Sequence, residues 1–231
     1  MASCKLDRVR GHTIIPALLQ PTSTVVDLGG NEGGFCSQIA GRFGCQCTVV
    51  EPSPMMFEKI TASRLIRKLQ YAMNGNDAPV EIHFSRNSEA TGQFAPRDPA
   101  LGSVTVPGVT LQSFLSRIQI AHVDLLKVDI EGSEIAMFAA APDELLRDIT
   151  QISVEFHDPT GITRLPEIRG LLARMEHLGF FWISFTRHHF EDVLFINQRF
   201  VPLSAWDRWY LRTIARSTMG LRRMIHRALG R

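Results

Sequence analysis

At 231 residues, with 45% hydrophobic and 21% charged residues, the chain has a globular composition with room for one large or two small packed domains. No run of about 18 apolar residues occurs, which excludes a membrane-spanning helix, and the opening "MASCKLDRVRGH" lacks the apolar core of an export signal, so a cytoplasmic location is expected. The net charge of +2 hides a sorting of charge: residues 208–231 hold seven arginines and no acid, leaving 18 basic against 23 acidic residues in the body.

In chain order, "STVVDLGG" reads as a buried strand ending in a glycine turn, and "FCSQIAGRF" as the helix after it. "CTVVEP" is the second strand. Residues 54–74, "PMMFEKITASRLIRKLQYAMN", predict one long amphipathic helix with proline near its start. "VEIHFS" is the third strand, and residues 86–109, rich in Gly, Pro and Ser, predict an irregular excursion. "TLQSFLSRI" resumes as a helix with Thr110 as N-cap. "VDLLKVDI" is the fourth strand, followed by a helix over 133–148 that bends or restarts at Pro142. "QISVEFHD" is the fifth strand, residues 165–179 a helix stopped by Gly179, and "FFWISFT" and "DVLFINQRF" a closing antiparallel pair joined by "RHHFE".

Near-continuous β-branched runs alternating with helices predict a mostly parallel sheet with helices on both faces. Ligands of such sheets sit beyond the carboxyl ends of the strands. The cysteines, Cys4, Cys36, Cys45 and Cys47, lack the paired spacing of a zinc site and read as reduced structural thiols.

The first strand ends in "VVDLGGNEGGF", which carries Asp27, Gly29, Gly30, Asn31, Gly33 and Gly34. Glycines there would let a ligand approach the backbone. Glu51 closes the second strand 24 positions after Asp27, near the spacing at which a carboxylate grips ribose hydroxyls. Asp27 would repel a pyrophosphate, but it suits a ligand carrying an ammonium or a sulfonium. S-adenosyl-L-methionine carries both, together with a ribose for Glu51.

With "VVEPSP" and above all "LLKVDIEGSE", this glycine turn resembles the FkbM family of S-adenosylmethionine-dependent methyltransferases, over about residues 24–200. The resemblance implies a Rossmann-like seven-stranded methyltransferase sheet with one antiparallel strand, and O-methylation of a hydroxyl on a sugar, a glycan or a secondary metabolite. It implies further that Asp27, Gly29, Gly30, Asn31 and Gly33 line the methionine part of the cofactor. Glu51 would hold the ribose, and Asn87 and Ser88 would approach the adenine. Gln112 departs from the acid that commonly opens the helix before strand four.

Methyl transfer to a hydroxyl needs alignment and usually removal of a proton. Strand alternation would put Lys127, Asp129 and Glu131 on one side if strand four stays extended, and Glu155 and His157 on one face of strand five. His157 is the expected general base, because imidazole titrates near neutral pH. Asp129 would orient the hydroxyl, pair with Lys127 or act as base itself, and Glu131 would bind substrate or cap the next helix. Glu134 reads as an acid complementing the helix dipole. Magnesium or calcium could bind Asp129, Glu131, Glu155 and His157, but no spacing fixes it, and no metal is assigned. His188 and His189 read as a solvated turn near the same edge.

Residues 206–231 form a separate expected unit, a basic amphipathic helix. Arg212, Arg216, Arg223 and Arg227 share one stripe, and Leu211, Ile214, Leu221, Ile225 and Ala228 another, with two tryptophans and a tyrosine leading in. That pattern suits an anionic membrane surface, a partner, or packing on the body. No aromatic platform accompanies the arginines, so no nucleic acid is expected. The sequence thus predicts residues 1–205 as a methyltransferase domain acting on a hydroxyl-bearing small molecule or glycan. The alternatives are a polyketide or peptide metabolite as acceptor, or a non-catalytic adaptor.

Overall fold

The computed structural model describes residues 5–84, 102–158, 163–186 and 189–218. Asn87, Ser88, Arg187, His188 and the tail beyond 218 lie outside them. A hairpin of β1 (Asp7–Val9) and β2 (His12–Ile14) comes first, turning through Arg10 and Gly11, both at positive φ (49° and 98°). The first half of the sheet follows: β3 (Thr24–Leu28), α1 (Gly34–Phe43), β4 (Gln46–Val50), α2 (Pro54–Lys59) and β5 (Ile66–Leu69). Short ladders then pair β6 (Ala72–Met73) with β9 (Gly108–Val109), and β7 (Val80–His83) with β8 (Ser103–Val106).

The second half runs α3 (Leu111–Arg117), β10 (Val123–Val128), α4 (Glu134–Ala140), α5 (Asp143–Arg147), β11 (Ile149–Val154), α6 (Leu165–His177), β12 (Phe180–Ser184) and β13 (Val193–Asn197). The seven strands of the main sheet lie in the order β12-β13-β11-β10-β3-β4-β5. Strands β5, β4, β3, β10 and β11 pair in parallel, whereas β13 runs antiparallel to both β11 and β12. Strand order reverses between β3 and β10.

Side-chain alternation divides the core. Val26, Leu28, Leu126 and Val128 pack with Phe114, Met137, Phe138 and Leu172 from α3, α4 and α6. Val25, Val49 and Leu125 face the other way and pack with Phe35, Cys36 and Ile39 of α1. Thr110 caps α3, its hydroxyl accepting from Ser113 N at 3.2 Å. Pro142 stands between α4 and α5, where it cannot continue the first helix. Cys36, Cys45 and Cys47 are buried free thiols.

Three sequence expectations are corrected. The long helix over 54–74 ends at Lys59, and its second half forms β5, the edge strand of the sheet. Apolar residues at Ile60, Leu65, Ile66 and Leu69 satisfy a helical period as well as a strand. The exposed edge of β4 decides the matter, because its amides need partners: Cys47 N donates to Leu65 O (2.8 Å) and Glu51 N to Leu69 O (3.2 Å). "VEIHFS" is consequently not the third strand of the main sheet but half of the β7–β8 ladder. The excursion over 86–109 contains two strands in its described part, β8 and β9.

Helix α7 (Ala205–Tyr210) continues into a wider π turn, Leu211–Ala215. Leu211 and Ala215 are buried with Phe181, Leu194 and Leu203 of the body, whereas Ile214 is 44% exposed. The expected grouping of Leu211 with Ile214 is therefore split. Two of the tail arginines also turn toward the body: Arg212 lies 4.7 Å over the Phe181 ring, and Arg216 Nη2 donates to Thr186 O at 3.0 Å. No described helix is long and apolar enough to cross a membrane.

Candidate active site

A cleft of about 260 Å³ opens beyond the carboxyl ends of β3 and β10, where strand order reverses. Four chain segments build it. The glycine turn after β3 contributes Gly29, Gly30, Asn31 and Glu32, and the turn after β10 contributes Asp129 and Glu131 beside Lys127. The end of β11 contributes Glu155 and His157, and the N-terminal hairpin brings Arg10 and His12.

The hairpin residues escaped the sequence reading. "RGH" signals a tight turn, but nothing local shows where that turn docks. Thr13 does this by donating through N (3.1 Å) and Oγ1 (2.8 Å) to the buried Asp192, while Ile15 N donates to Gln151 Oε1 at 2.9 Å. His12 is thereby buried with Nε2 at 3.6 Å from Asp129 Oδ2 and Nδ1 at 3.5 Å from Ser153 Oγ. Arg10 reaches over the start of α1, where its Nε would lie 3.0 Å from a Cβ placed on Gly34.

Lys127 organises the base of the cleft. Its ammonium donates to Gly29 O at 2.6 Å and lies 3.1 Å from Asp27 Oδ1 and 3.4 Å from Asp129 Oδ2. Burial works against that charge, but Asp27 and Asp129 outweigh it and hold Lys127 protonated well above the usual lysine range. Burial likewise works against the Asp129 carboxylate, and Lys127, His12 and His157 overcome it, leaving its carboxyl far below the usual value. Asp27 is sealed, and neither oxygen accepts a hydrogen bond among the described residues.

Lys127, Asp129 and Glu131 do meet in the cleft, but not by strand alternation. Strand β10 ends at Val128, and Glu131 takes a left-handed backbone (φ 52°). Burial, with Asp129 and Glu134 nearby, raises the Glu131 carboxyl to about 7 against the pull of His157 and Lys127. Burial and Asp129 raise Glu155 to about 7 as well, against His157 and Lys127. The Glu155 side chain has no hydrogen bond or ion pair among the described residues.

His157 differs from the expected base. Its Nδ1 lies 3.0 Å from Glu134 Oε1, and its Nε2 lies 3.3 Å from Glu131 Oε2 and 3.7 Å from Asp129 Oδ1. Burial opposes the imidazolium, but the hydrogen bond and charge of Glu134, then Glu131 and Asp129, raise His157 to about 9. The ring is therefore protonated at neutral pH, so it carries a proton when a base would need to accept one. Glu134 exceeds its expected helix-dipole role: it is fully buried, and Oε1 also accepts from Ile130 N (3.2 Å) and Gly132 N (3.1 Å). His189 pairs with Asp158 at 3.2 Å.

Two of the glycines are also required by close packing. A Cβ on Gly29 (φ +74°) would lie 1.6 Å from Asp129 O, and one on Gly30 would lie 2.1 Å from Val49 Cγ1. Gly33 is the left-handed N-cap of α1 (φ 77°). Glu51 is buried, and both of its oxygens hold the turn: Oε2 accepts from Asn31 N (2.8 Å) and Oε1 from Ser53 N (2.9 Å). Burial raises this carboxyl to about 7 against those two amides. Asn87 and Ser88 lie outside the described residues.

The family described as "Methyltransferase FkbM domain" matches residues 27–181. Among solved structures, the chain is similar to a SAM-dependent methyltransferase from Geobacter sulfurreducens in complex with S-adenosyl-L-homocysteine (11% identity, 91% of this chain and 72% of that chain, TM-score 0.40). It is also similar to a TehB-like SAM-dependent methyltransferase from Corynebacterium glutamicum (9% identity, 76% and 80% covered, TM-score 0.42). A third is TrmK of M. capricolum in complex with S-adenosyl-homocysteine (9% identity, 84% and 71% covered, TM-score 0.42). A search of curated protein sequences gave no match.

Proposed function

The chain belongs to the FkbM methyltransferase family, and from that premise we propose that it transfers a methyl group from S-adenosyl-L-methionine to a hydroxyl of a sugar or glycan. The donor set fits such a cofactor. Asp27, sealed beneath the glycine turn, pairs with Lys127, whose ammonium in turn holds the Gly29 carbonyl and so fixes the turn that lines the cleft. Arg10, without an ion-pair partner among the described residues, overhangs the amino end of α1 and suits a carboxylate. Glu51 has remaining lone pairs for ribose hydroxyls. When bound, the cofactor supplies a methyl group on a cationic sulfur.

The observation that carries the reading is the Glu155 carboxyl in the cleft, beside Asp129 and His12 and without a hydrogen bond or ion pair among the described residues. In this reading Glu155 takes the acceptor's proton as its oxygen attacks, and Asp129, held by Lys127 and His12, orients that hydroxyl. His157, bonded through Nδ1 and flanked by acids at Nε2, positions Glu131. Walls formed largely by charged and polar side chains favour a hydroxyl-rich acceptor over an apolar polyketide. Calorimetric titration with S-adenosylhomocysteine, followed by methyl transfer from labelled cofactor to a panel of glycosides, tests the proposal. Absence of binding would instead favour the adaptor.

We also propose that the protein is cytoplasmic and that residues 206–231 lie on an anionic membrane surface. In support, Trp206 and Trp209 stack at 4.7 Å while 68% and 47% exposed, ahead of an acid-free arginine run. The bond from Arg216 to Thr186 puts the outgoing chain beside the β12–β13 connection, at the carboxyl edge of the sheet where the cleft opens. A lipid-linked glycan would meet the site there.

A further inference from the structure

We propose that Asp129, Glu131 and His157 form a binding site for one divalent cation of the Mg²⁺/Mn²⁺ class, with Glu134 as the residue that positions its imidazole ligand. One ligand atom from each of the three lies within 4.8 Å of the others. Around His157 Nε2 the separations are 3.3 Å to Glu131 Oε2 and 3.7 Å to Asp129 Oδ1. Neighbouring ligands of an octahedral ion with bonds of about 2.1 Å lie ~3 Å apart, so side-chain shifts of under about 2 Å bring the three ligand atoms, now within 4.8 Å of one another, onto one ion.

The supporting groups are already arranged for this. Glu134 Oε1 is fixed by two backbone amides and meets His157 Nδ1 at 3.0 Å, which turns Nε2 toward the two carboxylates. A buried carboxylate behind a histidine whose other nitrogen faces open ligand atoms is the usual outer-shell device of metal sites. Its second oxygen, Glu134 Oε2, is buried and makes no hydrogen bond among the described residues. Lys127 approaches Asp129 through Oδ2, leaving Oδ1 for the ion. The ion would take the Nε2 lone pair in place of the second imidazole proton, which leaves to solvent, and it would stand among three carboxylates. Two carboxylates with one imidazole suit Mn²⁺ better than Ca²⁺.

The cation's role, holding the acceptor oxygen beside Glu155, rests on the methyl-transfer reading; its binding does not. The test is a titration of chelator-treated full-length protein with Mn²⁺, followed by the loss of the aqueous Mn²⁺ electron paramagnetic resonance signal. One ion per chain is expected, with pulsed spectra showing a directly bonded imidazole nitrogen. Affinity should fall at least ~10-fold in Glu131→Gln and about 10–100-fold in Glu134→Gln, and stay unchanged in Asp143→Asn, an acid of a remote surface pair. S-Adenosylhomocysteine calorimetry on the same samples reports folding and tests the cofactor reading separately. An undiminished aqueous signal, a spectrum without imidazole nitrogen, or equal affinities in all variants would overturn the site. Loss of S-adenosylhomocysteine binding with Mn²⁺ binding intact would overturn the methyl-transfer reading alone.

Discussion

Lys127 and Asp27 are register partners on the adjacent parallel strands β10 and β3, and the ammonium stands 3.1 Å from Asp27 Oδ1 with both side chains sealed from solvent. Neither charge could stand there alone. Lys127→Met would leave Asp27 buried without its partner, so unfolding free energy should drop by about 3–5 kcal/mol. Adding Asp27→Asn should recover part of it. Urea denaturation of the single and double variants measures this, and strictly additive losses would show the two groups to be independent.

Gly29 in the turn after β3 and Gly41 in the helix that follows respond oppositely to an added Cβ. Gly29→Ala drives a Cβ into the Asp129 carbonyl at a positive φ, and should cost about 1–3 kcal/mol. Gly41, inside α1 with nothing within 4 Å of an added Cβ, should gain about 0.5–1 kcal/mol as alanine. Thermal denaturation of the two variants should give shifts of opposite sign.

Glu51 makes a pH prediction with a defined sign. Its folded value of about 7 lies above the ordinary 4.5, so the folded state holds the proton more tightly. The stability this gives is complete below about pH 4.5, and it is lost as pH rises to about 7. Between pH 5 and 8 the wild type should lose up to ~3 kcal/mol relative to Glu51→Gln. Parallel stability curves for the two proteins would remove Glu51 as the source.

Glu155→Gln should lower methyl-transfer turnover by about 10²–10⁴-fold and leave S-adenosylhomocysteine affinity unchanged. Single-turnover kinetics with labelled cofactor separates the two quantities. Unaltered turnover would move the proton acceptor elsewhere.

A chain ending at residue 218 should lose co-sedimentation with phosphatidylglycerol vesicles, and Trp206→Ala with Trp209→Ala should weaken it in the full chain. The cut must spare Leu211 and Ala215, because they cover Phe181 and Leu194. Equal pelleting of all three proteins would exclude the membrane contact.

Much of the architecture was legible because local pattern carries it. The β-branched runs around Val25–Leu28 and Val123–Val128, the cap at Thr110 and the stop at Pro142 each act within a few residues. The gathering of Lys127, Asp129 and Glu131 was legible too, since one short segment holds all three. Residues 60–69 were not legible as a strand, because their apolar spacing fits both periods and only the unpaired edge of β4 selects one.

The sequence by itself determined the alternation of strands and helices, the glycine turn after the first strand and the acids after the fourth, through propensities and spacings that need no distant partner. The chemistry of the site was decided in three dimensions. His157 became a charged, anchored ring because Glu134, Glu131 and Asp129 surround it. Arg10 and His12 joined the cleft because the hairpin docks on Asp192 and Gln151. Proton affinity and ligand geometry depend on charges a few ångströms away in space, and those neighbours are far apart along the chain.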